Sequence, residues 1–275
     1  MLQNILQNVK INPVRVINLS SGSDGNLTYI ESATTKILVD AGLSCKEIEL
    51  RLSLLGVGGS EIAGILVTHE HSDHIKGIDV FATKFGTRVY AHEDEWNALS
   101  SKLKKVPQTQ KRSFTCAPFE IGDLTISAFK VPHDSACCVG FNIENQGRHV
   151  SICTDLGAIS DSILENIYGS ELVFLEANHD VKMLQNNINY SASLKQRILS
   201  SRGHLSNIAS ANAILKLARK GTRRVVLSHL SKENNNPTLA FETIKAILER
   251  EGTYVGENFN IDVASTMPGK IYKIS

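Results

Sequence analysis

The sequence has no run of about 18 apolar residues, the length a helix needs to cross a bilayer, and Met1 to Pro13 lack the basic start and apolar centre of a secretory signal. These absences predict a cytoplasmic protein without a membrane partner. There is no Cys-x-x-Cys pair, and the five cysteines (Cys45, Cys116, Cys137, Cys138, Cys153) form an odd set, so neither a disulfide framework nor a zinc knuckle is indicated. Neither sign of charge prevails, with 29 Lys and Arg against 28 Asp and Glu, and net charge alone therefore gives no nucleic-acid signature. Linkers and low-complexity segments are lacking as well. A length of 275 residues with 42% hydrophobic content then predicts one domain over residues 1–275.

What the sequence does have is Gly64-Ile65-Leu66-Val67-Thr68-His69-Glu70-His71-Ser72-Asp73-His74. An apolar segment that reads as a buried strand runs straight into side chains able to donate lone pairs to a metal, so a loop at a strand end presents them. In extended or tightly turned backbone His69, His71 and Asp73 alternate with Glu70 and Ser72 and fall on a common side, while His74 opens the next helix. A polar surface turn would explain any one of these residues. Ligand types this dense point instead to a pocket for more than one ion. The arrangement recurs: later apolar segments end in His133, in Asp155 and in His229.

The rest of the pattern supplies the frame. Val14 to Leu19, Leu27 to Glu31 and Thr35 to Val39 read as an antiparallel meander, Cys45 to Leu55 as an amphipathic helix closed by Gly56, and Ser113 to Val131 as two strands about Ile121-Gly122-Asp123. Cys137 to Ile143 and His149 to Cys153 form a hairpin over Gln146-Gly147. Strand-rich halves, each with helices after its strands, predict an α/β (α+β) fold: a four-layer αββα sandwich of two mixed sheets flanked by helices.

Several rim residues have two readings. Asp40, ending the third strand, can hold the outer nitrogen of a ligand histidine or cap the next helix. The Ser20 to Asn26 connection is a glycine-rich turn whose hydroxyl and N–H groups can meet a phosphate. Ser21, Ser23 and Asn26, with Asn178 and Ser231 in later strand-end loops, are therefore candidate substrate contacts. His179 and His204 can touch a scissile phosphate or protonate its leaving oxygen, His204 being preferred, or serve as polar strand-end and helix-cap residues. Two basic clusters, Lys102 to Arg112 and Lys216 to Arg224, read as solvated faces or as tracks for a phosphate backbone.

Thr68 to His74 spells Thr-His-x-His-x-Asp-His, which resembles the signature of the metallo-β-lactamase fold superfamily of binuclear metallohydrolases. The resemblance implies that His69, His71 and His133 hold one divalent ion, that Asp73, His74 and His229 hold another, and that Asp155 bridges them. Asp73 then enters catalysis as a ligand rather than a base. Two ions roughly 3.5–4 Å apart share a water, lower its pKa and aim the resulting hydroxide at an electrophile. Nitrogen-rich ligation suits Zn2+, and the carboxylates keep Mn2+ and iron open. Having both His74 and Asp155 sets the chain apart from the antibiotic hydrolases, and His71 from the diiron redox members. The interval from Asp155 to His229 has no room for a β-CASP insertion.

Further segments are similar to the YycJ/WalJ group of small bacterial proteins of this superfamily: Ser21 to Asn26, Leu38 to Gly42, Leu175 to Asp180, Gly203 to Asn207 and His229 to Asn235. That resemblance implies a phosphodiesterase with DNA as substrate, a 5′-to-3′ exonuclease. Two other readings stand beside it: a small-molecule hydrolase of the same fold (a cyclic-nucleotide phosphodiesterase or lactonase), and a metal-stabilised regulatory protein. An open site with so many ligands speaks against the last, since structural zinc is normally closed by four. The sequence leaves the oligomeric state open.

Overall fold

A computed structural model describes residues 13–274, so the reading of Met1 to Pro13 falls, but for its last residue, outside the described residues. The chain begins with an antiparallel meander, β1 (Val14–Ser20), β2 (Leu27–Glu31) and β3 (Lys36–Val39). It continues through α1 (Cys45–Ser53), β4 (Gly64–Leu66), α2 (Ser72–Ile75), α3 (Ile78–Phe85), β5 (Arg88–His92), α4 (Trp96–Lys102) and β6 (Lys111–Phe114). Here β3, β4, β5 and β6 pair in parallel.

The second half repeats this plan. β7 (Phe119–Ile121), β8 (Leu124–Lys130), β9 (Val139–Asn145) and β10 (Arg148–Cys153) are antiparallel neighbours. After α5 (Asp161–Ile167), the strands β11 (Leu172–Glu176), β12 (Arg224–Ser228) and β13 (Asn260–Val263) follow in parallel. Between them run α6 (Val181–Asn186), α7 (Ala192–Leu199), α8 (Asn207–Arg219) and α9 (Pro237–Arg250). β14 (Ile271–Ile274) returns to pair antiparallel with β1. Among the described residues this gives two seven-stranded sheets, ordered β14-β1-β2-β3-β4-β5-β6 and β13-β12-β11-β10-β9-β8-β7.

Because strand residues alternate sides, each sheet offers an apolar face in both directions. Val16, Ile30, Val39 and Leu66 meet Ile126, Phe141, Val150 and Phe174 between the sheets. Their neighbours Ile17, Leu38 and Ile65 turn outward onto Ile48, Leu52, Ile78 and Phe81 of α1 and α3. On the far side Val173, Leu175, Val225 and Leu227 pack on α5, α8 and α9 through Leu164, Ile214, Leu217, Ile244 and Leu248. The expected αββα sandwich is the observed one.

One expectation holds only in part. The two strands about Ile121-Gly122-Asp123 are β7 and β8, but the first does not reach back to Ser113, because Lys111–Phe114 pairs with β5 in the first sheet and the chain crosses to the second sheet before Phe119. The alternating pattern is the same on both sides of that crossing, so it gives no hint of the partner. The helices α5 and α6 were not anticipated either; their serine and aspartate caps, Ser160 and Asp180, are the signal that was there.

The parallel strands all point their carboxyl ends at one rim, the usual place for a site in such sheets. Gly42 backs directly onto the loop presented there: a Cβ at this position would lie 1.6 Å from the Asp73 carbonyl oxygen and 2.7 Å from the Asn26 nitrogen. Backbone cannot rotate away as a side chain can. Gly42→Ala should therefore cost at least the 1–3 kcal/mol (about) typical of overpacking, read as a lower urea midpoint at unchanged slope; a wild-type midpoint would refute the tight contact.

Candidate metal centre

His69, His71, Asp73 and His74 lie in the β4–α2 segment, His133 follows β8, Asp155 follows β10 and His229 follows β12. Two of these strand ends, and the end of β3, turn through the left-handed region at a residue other than glycine: Asp155 (φ 57°), His229 (φ 55°) and Asp40 (φ 59°). That conformation is costly for side-chain-bearing residues and persists where surrounding bonds hold it. The bonds are present. The Asp40 carboxylate accepts from the Thr68 N–H (2.9 Å), and the His229 N–H donates to Ser21 Oγ (2.8 Å).

Four buried imidazoles of the cluster are tied by their outer nitrogens. His74 Nδ1 donates to Asp40 Oδ2 (2.7 Å), His69 Nδ1 to Thr68 Oγ1 (3.0 Å), His133 Nδ1 to the Gly203 carbonyl (3.2 Å) and His229 Nδ1 to Glu176 Oε1 (2.8 Å). Such partners fix the tautomer and turn the lone pair of the other nitrogen inward. Among the described residues, the inward atoms His69 Nε2, His229 Nε2 and Asp155 Oδ2 are buried with no hydrogen-bond partner. Unpaired buried acceptors of this kind are rare and need an explanation.

A metal ion supplies it. His71 Nδ1 and His133 Nε2 stand 3.3 Å apart, long for a hydrogen bond but equal to the roughly 3.3–3.4 Å between two ligands on a tetrahedral ion with bonds near 2.0–2.1 Å. His74 Nε2 is likewise 3.3 Å from Asp73 Oδ2 and 3.3 Å from Asp155 Oδ2. Donor atoms of His69, His71 and His133 fall within 4.8 Å of one another, as do those of Asp73, His74 and His229. Asp155, Glu176, His204 and His229 form a further such group. Glu176 is not free to ligate, however: Oε1 already accepts from His204 and His229 (2.8 Å each) and Oε2 from the amides of Leu156 and Leu205 (3.0 Å each).

The electrostatics ask for positive charge. Burial opposes a proton on His74, yet Asp155 and Asp40 outweigh it and hold the ring well above the usual imidazole range. Burial is overcome in the same way at His229, pushed up to about 10 by Asp155, Asp73 and Glu176. For Asp73 burial favours protonation, but His229 and His74 keep it well below the ordinary carboxylate range. His69 is driven well below its usual value by burial and by the His74, His133 and His71 rings, which outweigh the opposing charge of Asp73. Acidic groups thus surround one part of the pocket and neutral imidazole the other, a setting that cations at the centre satisfy.

A cavity of about 220 Å³ opens over these atoms, lined by His71, Asp73, Asp155, His204 and His229 and also by Ser23, Asn178 and Ser231. A family model described as a beta-lactamase superfamily domain matches residues 35–230. The chain belongs to the metallo-β-lactamase superfamily. It is 40% identical over 255 residues to exodeoxyribonuclease YycJ of Bacillus anthracis, covering 92% of this chain and 96% of that one. It is 39% identical over 246 residues to exodeoxyribonuclease WalJ of Streptococcus pneumoniae serotype 2, covering 88% and 91%. The metallo-β-lactamase fold protein YhfI from Bacillus subtilis superposes with a TM-score of 0.70 at 19% identity, covering 95% of this chain and 100% of that chain, which shows the shared fold. The chain is a metal-dependent hydrolase.

In this superfamily member the nominated residues separate into groups. Ser21 and Asn26 do not line the cavity; they brace the rim from within, Ser21 through His229 and Asn26 through Asp73 and His74 (3.3 and 3.0 Å). His179 is buried behind the wall, does not line the cavity, and is lowered to about 4 by burial. The Lys216 to Arg224 cluster sits at the far edge, one full β12 (about 16 Å) from His229, with Lys216, Arg219 and Arg224 paired to Asp161, Glu251 and Glu171. From the other cluster Lys102 does reach the rim, donating to the Glu70 carbonyl (2.8 Å).

Sequence reasoning overlooked Thr68, which links Asp40 to His69 and His74, and Asp134, whose Oδ1 lies 3.2 Å from His133 Nε2. It also overlooked Glu176. If that carboxylate orients His229, Glu176→Gln should weaken metal retention about 10- to 100-fold, because an amide group cannot accept along all four directions. Elemental analysis after graded chelator treatment measures this, and wild-type retention would remove Glu176 from the role.

Proposed function

We propose that the chain is a binuclear phosphodiesterase, a DNA exonuclease working from the 5′ end in the cytoplasm. The observation that carries the metal part is the set of buried, unpartnered inward atoms on His69, His229 and Asp155. His69, His71 and His133 would hold one ion, Asp73, His74 and His229 the other, with Asp155 between. Zn2+ or Mn2+ fits this mixed donor set, and iron also suits it. Bound there, two divalent ions supply a water of lowered pKa and positive charge for the developing oxyanion.

The protein's own groups do the rest. His204, held through Nδ1 by Glu176 and raised above the usual imidazole range by that carboxylate against the opposing effect of burial, presents Nε2 to the cavity as the proton donor to the leaving oxygen. Ser23, Asn178 and Ser231 are positioned to receive phosphate oxygens, and Arg197 adds charge on the cavity wall. His179 stays outside this reaction. DNA as substrate is supported by the names of relatives matched along nearly their whole length; the polarity is what the sequence resemblance implies. The cytoplasm, a reducing compartment, fits five unpaired cysteines. The unit reads as one hydrolase domain, since β11 and α5 to α8 fill the interval from Asp155 to His229 and leave no β-CASP insertion.

Three measurements test this. Purified protein should hold more than one equivalent of transition metal, and Asp155→Ala should lose both metal and hydrolysis; unchanged values would end the binuclear model. End-labelled DNA should be shortened from its 5′ end only with metal present, with a rate that falls steeply with salt. Loss from the 3′ end would reverse the polarity, and no DNA cleavage with manganese, zinc or magnesium would favour a small-molecule substrate. His204→Ala should slow DNA cleavage by about 10²–10⁴, and an activated nitrophenyl phosphodiester far less, because its leaving group needs little protonation; equal losses would exclude His204 as the acid.

A further inference from the structure

Residues 181–203 carry Lys182, Lys195, Arg197 and Arg202 and no acidic residue. They form the α6–α7 arm beside the cavity, to whose lining they contribute Tyr190, Leu194, Arg197 and Ile198. Leu184 of α6 anchors the arm in the body, whereas none of the residues of α7 is buried. The arm is also joined to the body by polar bonds: Arg197 pairs with Asp134, Arg202 Nε donates to the His133 carbonyl (2.9 Å), and Asn187 Nδ2 donates to Asn234 Oδ1 (2.8 Å).

At the tip stands Ile188, 95% exposed, the barest large apolar side chain among the described residues. Single exposed apolar residues are ordinary on protein surfaces. This one differs in its mounting. Asn187, fixed on Asn234, also accepts from the Asn189 N–H (2.9 Å), so the turn holds Ile188 out rather than letting it fold back. Tyr190, two residues on, already faces the reaction cavity. A cationic wall complements a phosphate backbone, an apolar tip can part neighbouring bases as other DNA-binding wedges do, and an aromatic ring accepts a stacked base of any sequence.

We propose that this arm opens the end of duplex DNA, Ile188 wedging into the terminal base pair while Tyr190 stacks on the base of the strand led to the metals. The inference rests on the DNA reading above and adds the form of DNA that the site is built to receive. It requires no chemistry beyond hydrolysis. Opening an end is the costly part, and it is cheaper where the pair is already broken.

The test compares the metal-loaded protein with Ile188→Ala, Ile188→Phe and Tyr190→Ala on a single strand, a blunt duplex, and that duplex with a few terminal mismatches. Ile188→Ala should lower the ratio of duplex to single-strand rate by about ten-fold, terminal mismatches should restore it, and Ile188→Phe should keep the wild-type ratio. Tyr190→Ala should slow both forms. A ratio unchanged in Ile188→Ala, or a lowered ratio that mismatches leave as it is, would overturn the wedge. Wild-type protein that digests single strands but no duplex would overturn it alone, whereas wild-type protein that digests neither would take the DNA reading down with it. Ile188 is exposed, so these variants test function without disturbing the core.

Discussion

Glu176 is a carboxylate with no exposure to water, and a charge so placed survives only when its lone pairs are taken. Here they are taken by groups from separate parts of the chain: the amide of Leu156 after β10, the amide of Leu205 before α8, and the rings of His204 and His229. Burial works against the ionised form, and His204 and His229 outweigh it, keeping Glu176 below the ordinary carboxylate range. Satisfying this one charge therefore fixes where three loops meet. It also leaves Nε2 of each histidine free, on His229 for the proposed metal and on His204 for the proposed proton transfer.

The first half of the chain solves the same problem with Asp40. That residue follows β3 just as Asp155 follows β10, each at the end of the antiparallel part of its sheet and each in left-handed backbone. The two have diverged in use. Asp40 accepts from Thr68 and His74 and orients a ring, whereas Asp155 leaves Oδ2 unpartnered and facing the centre. One turn geometry thus gives a strut in one half and, in the proposed site, a ligand in the other. The strain of that turn is tolerable in both because the carboxylate it delivers lies where positive charge is needed.

What could be read from the sequence was residue-specific chemistry. Histidines and aspartates at strand ends have few other reasons to recur, so His69 to His74, His133, Asp155 and His229 were visible before any coordinate was known, and the geometry brings all of them to one rim. Asp40 was visible as an alternative that its contact with His74 now decides. Glu176 was not, because it closes the apolar strand Leu172–Glu176 and looks like the first solvent-facing residue after it. For the cluster Lys216 to Arg224 the solvated-face reading is the one the geometry takes. Charge density along the chain says nothing about which edge of a sheet a strand begins on, so Lys216 to Arg224 lies across β12 from the site. The acid-free arm from 181 to 203 went unnoticed because its cations are spread out rather than clustered.

The proposed ligand set would also tie the two halves together. His69, His71, Asp73 and His74 come from the first sheet's rim and His133, Asp155 and His229 from the second's, so neither sheet alone would complete the proposed set around either ion. The apolar layer between the sheets, with Phe141 and Phe174 fully buried in it, holds the halves at the spacing their donors require. Without cations, the carboxylates gathered at the rim would repel one another across that layer's edge, and protons on His74, His229 and His204 would relieve that repulsion. Divalent ions held as proposed would replace those protons with stronger, fixed charge. Metal binding would then favour the docking of one half on the other, because the donors for each proposed ion come from both sheets.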